Sequence, residues 1–148
     1  MKFQKMLCII TCFFSLCTLN HAKLHAILVE VSVGEFLDKI SILKIKKVEI
    51  KDPEKNKNIC TELELLEKEY EKLPNPEEKI EFIKQLFSVN YTLWGLEDKI
   101  REKESEGLFD EDFIQIARNI YITNDKRYRI KQQINSFFKS KIVEEKSN

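Results

Sequence analysis

The sequence predicts an all-α fold: an antiparallel bundle of about four helices, dominated by a long C-terminal helical hairpin. Three observations predict it. Apolar residues recur in steps of three and four over most of the chain. Helix-start signals stand at Ser32, Asp52, Asn75 and Asp110. The chain has only three glycines and three prolines, too few for a sandwich or barrel with many turns.

The leader comes first. Lys2 and Lys5 precede an uncharged, mostly apolar run over residues 6–19. That is short for a spanning helix, which needs about 20 residues, but it suits a signal peptide. Residues 1–22 are therefore expected to direct export to the periplasm or medium, with an uncleaved N-terminal anchor as the alternative. Cys8, Cys12 and Cys17 all lie in this segment, so cleavage leaves only Cys60 and no internal disulfide. Residues 1–22 hold two lysines and no acid, so removal shifts the net charge from 0 to −2.

Residues 26–142 are expected to form one helical domain with a modest core, and residues 143–148 a frayed tail. Residues 26–31, AILVEV, read as an extended segment that crosses the helices or pairs with its copy in a homodimer. The first helix follows, running to about Lys51. Ser32 and Glu35 have capping-box spacing, and Val31 and Phe36 form the matching hydrophobic staple. Phe36, Leu37, Ile40, Leu43 and Ile50 lie broadly on one side of it. Ile42 and Ile45 widen the apolar surface, so more than one neighbour should cover this helix.

Asp52 and Pro53 then give a cap and a first helical residue. Ile59, Leu63, Leu66, Tyr70 and Leu73 form the second helix's seam, in the alternating steps of a coiled coil. Cys60 adjoins the seam and reads as a small core residue. Asn75 and Pro76 repeat the cap-then-proline device. The third helix should run to about Glu106, and Gly107 suits its C-cap. Asp110 caps a fourth helix whose seam runs Phe113, Ala117, Ile120, Asn124, Arg127, Lys131, Ile134 and Phe138. That period continues through Asn124 and Asp125, which argues for one unbroken helix.

The third helix carries an anomaly. Its seam reads Ile83, Leu86, Asn90, Leu93, Glu97, Ile100, Glu104, with Asp98 and Arg101 alongside. A core seam should be apolar, so these polar groups need partners. A short turn near Leu108 makes the third and fourth helices antiparallel. Asn90 then faces Asn124 and Arg127, Trp94 faces Tyr121, and Glu97 and Asp98 face Arg118 and Tyr121. The candidate site is therefore Asn90, Trp94, Glu97, Asp98, Arg101, Arg118, Tyr121, Asn124 and Arg127. A purely structural network that fixes helix register explains the same residues.

Three stretches carry a resemblance: VEVSVGEFLDKISILKIK, VNYTLWGLEDKIREKE and FIQIARNIYITNDKRYRIKQQIN, with the ending VEEKS beside them. Over about residues 29–147 the chain resembles a family of short, all-helical bacterial and phage proteins whose domain has no assigned function. By that resemblance Gly34, Glu35, Asp38, Lys39, Asn90, Trp94, Glu97, Asp98, Arg101, Tyr121, Asn124, Asp125 and Arg127 match the family's pattern. Lys44 stands where the pattern has an acid and Tyr128 where it has a small residue, which counts against a metal role at position 44. The resemblance implies no activity.

Two functions compete. One is a non-enzymatic binding or interaction domain for a small ligand or a protein. Both histidines, His21 and His25, lie at or beside the leader, which removes the usual nucleophile pairs and His-based zinc sites. No cofactor is expected under this reading. The other is an enzyme acting on a nucleotide or sugar phosphate. Glu97 and Asp98, with Glu104 and Asp125, would hold Mg²⁺ while Arg101, Arg118 and Arg127 clamp phosphate. With 25 basic and 25 acidic residues, no charge excess marks the chain for nucleic acid. Gly34, Gly95 and Gly107 lie too far apart for a phosphate-cradling loop. No segment after the leader is long and apolar enough for a membrane.

Overall fold

The computed structural model describes residues 27–146, so the predicted leader lies outside the described residues. Four helices follow one another: α1 (Val33–Glu49), α2 (Pro53–Tyr70), α3 (Pro76–Glu106) and α4 (Glu111–Phe137). No strand occurs among the described residues. Helix α1 packs against all three others, and α3 packs against α4. Helix α2 packs along α1 and meets α3 at its C-terminal end, through Lys79, so it flanks a three-helix centre.

The expected caps form where an oxygen can reach an orphan amide. Ser32 Oγ accepts from Glu35 N at 3.1 Å, Asp52 Oδ1 from Lys55 N at 2.8 Å, and Asp110 Oδ1 from Phe113 N at 2.9 Å. Gly107 closes α3 with φ 69°, and Leu108 N donates to Lys103 O at 2.9 Å. The Asn75 cap differs. Its backbone is left-handed, with φ 58°, and its side chain makes no capping bond. Lys79 secures this corner instead. It is buried, and its Nζ donates to Tyr70 O at 3.0 Å and Leu73 O at 3.2 Å, satisfying carbonyls at the end of α2.

The apolar seams meet as the periodicity predicts. Leu37, Ile40 and Leu43 of α1 pack with Ile59 and Leu63 of α2, Ile83 and Leu86 of α3, and Ile134 of α4. Phe82 meets Phe137 and Phe138 edge-on or tilted at ring distances of 5.6 and 6.2 Å. Helix α4 is unbroken through Asn124 and Asp125. The core ends partway along the hairpin: α3 buries nothing beyond Leu93, and α4 nothing before Thr123.

Residues 27–31 form neither helix nor strand and do not cross the helices, since Ile27, Leu28 and Val29 are 75, 96 and 73% exposed. The tail also lacks regular structure, yet it lies back on α4. Ser140 N donates to Asn135 O at 2.8 Å, and Gln132 Nε2 to Glu144 O at 2.7 Å.

Candidate functional site

The site begins with a stripe on α1. Gly34, Asp38, Ser41 and Ile45 recur in steps of four, three and four, and all four are buried. Two polar groups therefore sit inside the bundle and must be bonded there. Asn90 of α3 serves both. Its Nδ2 donates to Asp38 Oδ1 at 2.7 Å and to Ser41 Oγ at 2.7 Å. Ser41 Oγ in turn donates to Asp38 O at 2.7 Å. From α4, Arg127 Nη1 donates to Asn90 Oδ1 at 3.4 Å. Asn90 and Arg127 thus stand at equal height in the antiparallel pair, the register predicted from the sequence.

Lys131 lies one turn further along α4. Its side chain is 7% exposed and pairs with Glu35 Oε2 at 2.6 Å and with Glu144 of the tail. Glu35 was expected to complete a capping box. Its carboxylate points to Lys131 instead, where it offsets the desolvation of a buried ammonium. Gly34 N donates to Asn135 Oδ1 at 2.7 Å, which brings α1 hard against α4.

Burial pushes the Asp38 carboxyl above its ordinary value. The Asn90 hydrogen bond and the charges of Arg127 and Lys131 oppose this, and Glu35 adds to it. For Lys131, burial works against the charged form, but Glu144 and Glu35 outweigh it and hold the ammonium above its usual range. The Asp38 shift has a sign that can be checked. Folded Asp38 keeps a proton that the unfolded chain releases above about 3.8, so its contribution to stability is greatest in acid and falls as pH rises through the folded value. Asp38→Asn keeps the shape and the acceptor but removes the titration. Urea midpoints taken between about pH 4 and 7 should shift in favour of the variant, relative to wild type, as pH rises. A constant difference would contradict the assignment.

A cavity of about 180 Å³ opens beside this network, lined by Ile42, Ile45, Lys46, Asn90, Leu93, Trp94, Glu97 and Arg127. Four of the nine predicted site residues, Asn90, Trp94, Glu97 and Arg127, therefore share one cavity. Asn124 lies on the other side of Arg127, in a cavity of about 210 Å³ with Tyr128, Lys131, Glu144 and Lys146. The remaining four are placed differently. Asp98, Arg101, Arg118 and Tyr121 are exposed, Tyr121 to 54%. Glu97 and Asp98 were expected to reach Arg118 and Tyr121 across the hairpin. They pair instead with Arg101 on their own helix, at 2.6 and 3.6 Å. No third helix covers this end, so long polar side chains stay solvated and find neighbours three or four residues away.

The same pairing bears on the metal candidates. Glu97 and Asp98 are held by Arg101, and Asp125 by Lys146. Among the described residues no group of three or more His, Cys, Asp or Glu side chains is placed to hold a metal ion. No described helix is long and apolar enough to cross a membrane.

Reading α3 against α4 alone misses what α1 adds: Asp38 and Ser41, which hold Asn90, and Glu35, which holds Lys131. The buried stripe at 34, 38, 41 and 45 has the same four-and-three spacing as the apolar seams, and that spacing was the signal for it. No curated protein and no solved structure matches the chain. A family model does match, over residues 27–148, which takes in all four helices and the tail. The chain belongs to DUF6165, a family of unknown function.

Proposed function

We propose that the chain is a helical binding domain, and that the cavity between α1, α3 and α4 takes a small organic anion with an apolar body. One observation carries this reading: the charges around the cavity do not cancel. Among the described residues Glu97 is the single carboxylate in its lining, and Arg101 holds it at 2.6 Å. Lys46 and Arg127 line the same cavity and make no ion pair among the described residues. Arg127 has five N–H donors, and its one hydrogen bond among the described residues, to Asn90, is long at 3.4 Å. Two cations face a wall of Ile42, Ile45, Leu93 and Trp94. That combination suits a carboxylate or phosphate attached to a hydrocarbon or aromatic group.

Trp94 is the only tryptophan and lines the cavity, so its fluorescence reports binding directly. The test titrates a series of aliphatic and aromatic acids, each against its neutral amide. The acid should bind at least about tenfold more tightly than the amide, the worth of one charge-assisted hydrogen bond. Equal affinity within each pair, or no response across the series, would contradict the reading.

A further inference from the structure

The tail does more than end the chain. After α4 it turns back so that Glu144 reaches Lys131, while Lys146 pairs with Asp125 and lies over the Tyr128 ring at 5.7 Å. The Glu144 carbonyl accepts from Gln132 Nε2 at 2.7 Å and from Tyr128 Oη at 3.4 Å. The Glu144 carboxylate is thereby set into the second cavity, whose walls carry three cations, Arg127, Lys131 and Lys146. Arg127 is common to this cavity and to the one beside Trp94.

Two features mark the Glu144 contact as replaceable. Lys131 already has a carboxylate from within the bundle, Glu35 at 2.6 Å, so it does not depend on the tail for charge balance. Ser140, whose N–H donates to Asn135 O at 2.8 Å, fixes the base of the tail; beyond it the side chains of Glu144 and Lys146 are half-exposed, so water competes for their contacts. A carboxylate held by such contacts, among three cations, occupies the kind of place an anion takes.

We propose that residues 141–146 form a displaceable strap, with Glu144 standing where a second anionic group of the ligand binds. This rests on the anion reading of the Trp94 cavity. It narrows the ligand to a compound with two anionic groups, one at Lys46 and Arg127, the other at Lys131, because Lys146 leaves with the strap. Arg127 and Lys131 are four residues apart on one helix face, so the two groups lie about one helical turn apart, roughly 5–6 Å.

Inorganic pyrophosphate probes the anionic ends alone. Calorimetric titration of the full chain and of Glu144→Gln should show pyrophosphate binding the variant about ten times more tightly, since the internal competitor is gone. In wild type, saturating pyrophosphate should speed amide exchange across residues 141–146 at least tenfold. Affinity equal to or below wild type in Glu144→Gln, or exchange that pyrophosphate leaves unchanged, overturns the strap while leaving the anion reading standing. Loss of pyrophosphate binding in both chains, with no acid bound at Trp94, overturns the two together.

Discussion

Asn90→Leu should destabilise the protein by about 3 kcal/mol. The side chains are similar in volume, so packing alone predicts a small change. What is lost is the donor to Asp38 Oδ1, a group 4% exposed. The buried carboxylate then lacks the hydrogen bond that offsets its desolvation. Arg127 also loses its hydrogen bond to the same amide. Urea denaturation measures the change, and a midpoint equal to wild type would show that Asp38 is satisfied in some other way. The companion variant Asp38→Leu with Asn90→Leu separates the causes. Removing both partners should restore a good part of the loss, because an apolar pair of that size leaves no orphaned charge.

Gly34→Ala should cost about 2–3 kcal/mol, against the usual gain of up to about 1 kcal/mol for replacing glycine inside a helix. Space decides the sign. An added Cβ would lie 2.6 Å from the Lys131 carbonyl oxygen and 2.9 Å from Asn135 Oδ1. The first is helix backbone and cannot turn aside. Helix α1 must therefore move off α4, which stretches the 2.7 Å bond from Gly34 N to Asn135. The same shift loosens Glu35 from Lys131. Gly95 is the internal control, since nothing lies within 4 Å of a Cβ there. Gly95→Ala should be neutral or stabilising. Equal melting temperatures for the two variants would contradict the close approach of α1 and α4.

These residues also show what the chain makes legible from sequence and what it hides. Ser32, Asp52, Asp110 and Gly107 announce their helix ends because capping is local chemistry, settled within four residues. The hairpin register is legible for a similar reason: a short turn fixes which heights coincide, and Asn90 meets Arg127 accordingly. The third partner is not legible that way. Asp38 stands between Leu37 and Lys39 and reads as a surface charge until α1 is known to lie against α3. Lys79 misleads more completely. In the first turn of a helix a lysine looks solvated, yet its long stem carries the ammonium back to two carbonyls at the end of α2. The outer hairpin inverts the error. Glu97, Asp98 and Arg101 look like buried anomalies on the seam, but the core stops at Leu93 and these groups meet water and one another.

Labour is divided at the network: Asp38, Ser41 and Asn90 hold α1 to α3, while Arg127, half-buried and without a carboxylate partner among the described residues, is left for a ligand. Arg127→Leu tests it most directly, by fluorescence titration of Trp94 with the tightest-binding acid alongside urea denaturation of the same sample. Affinity should fall by at least about tenfold and stability by about 1 kcal/mol or less, the worth of one long, half-exposed hydrogen bond. Wild-type affinity in a chain destabilised as much as Asn90→Leu would make Arg127 part of the scaffold, and would contradict the claim.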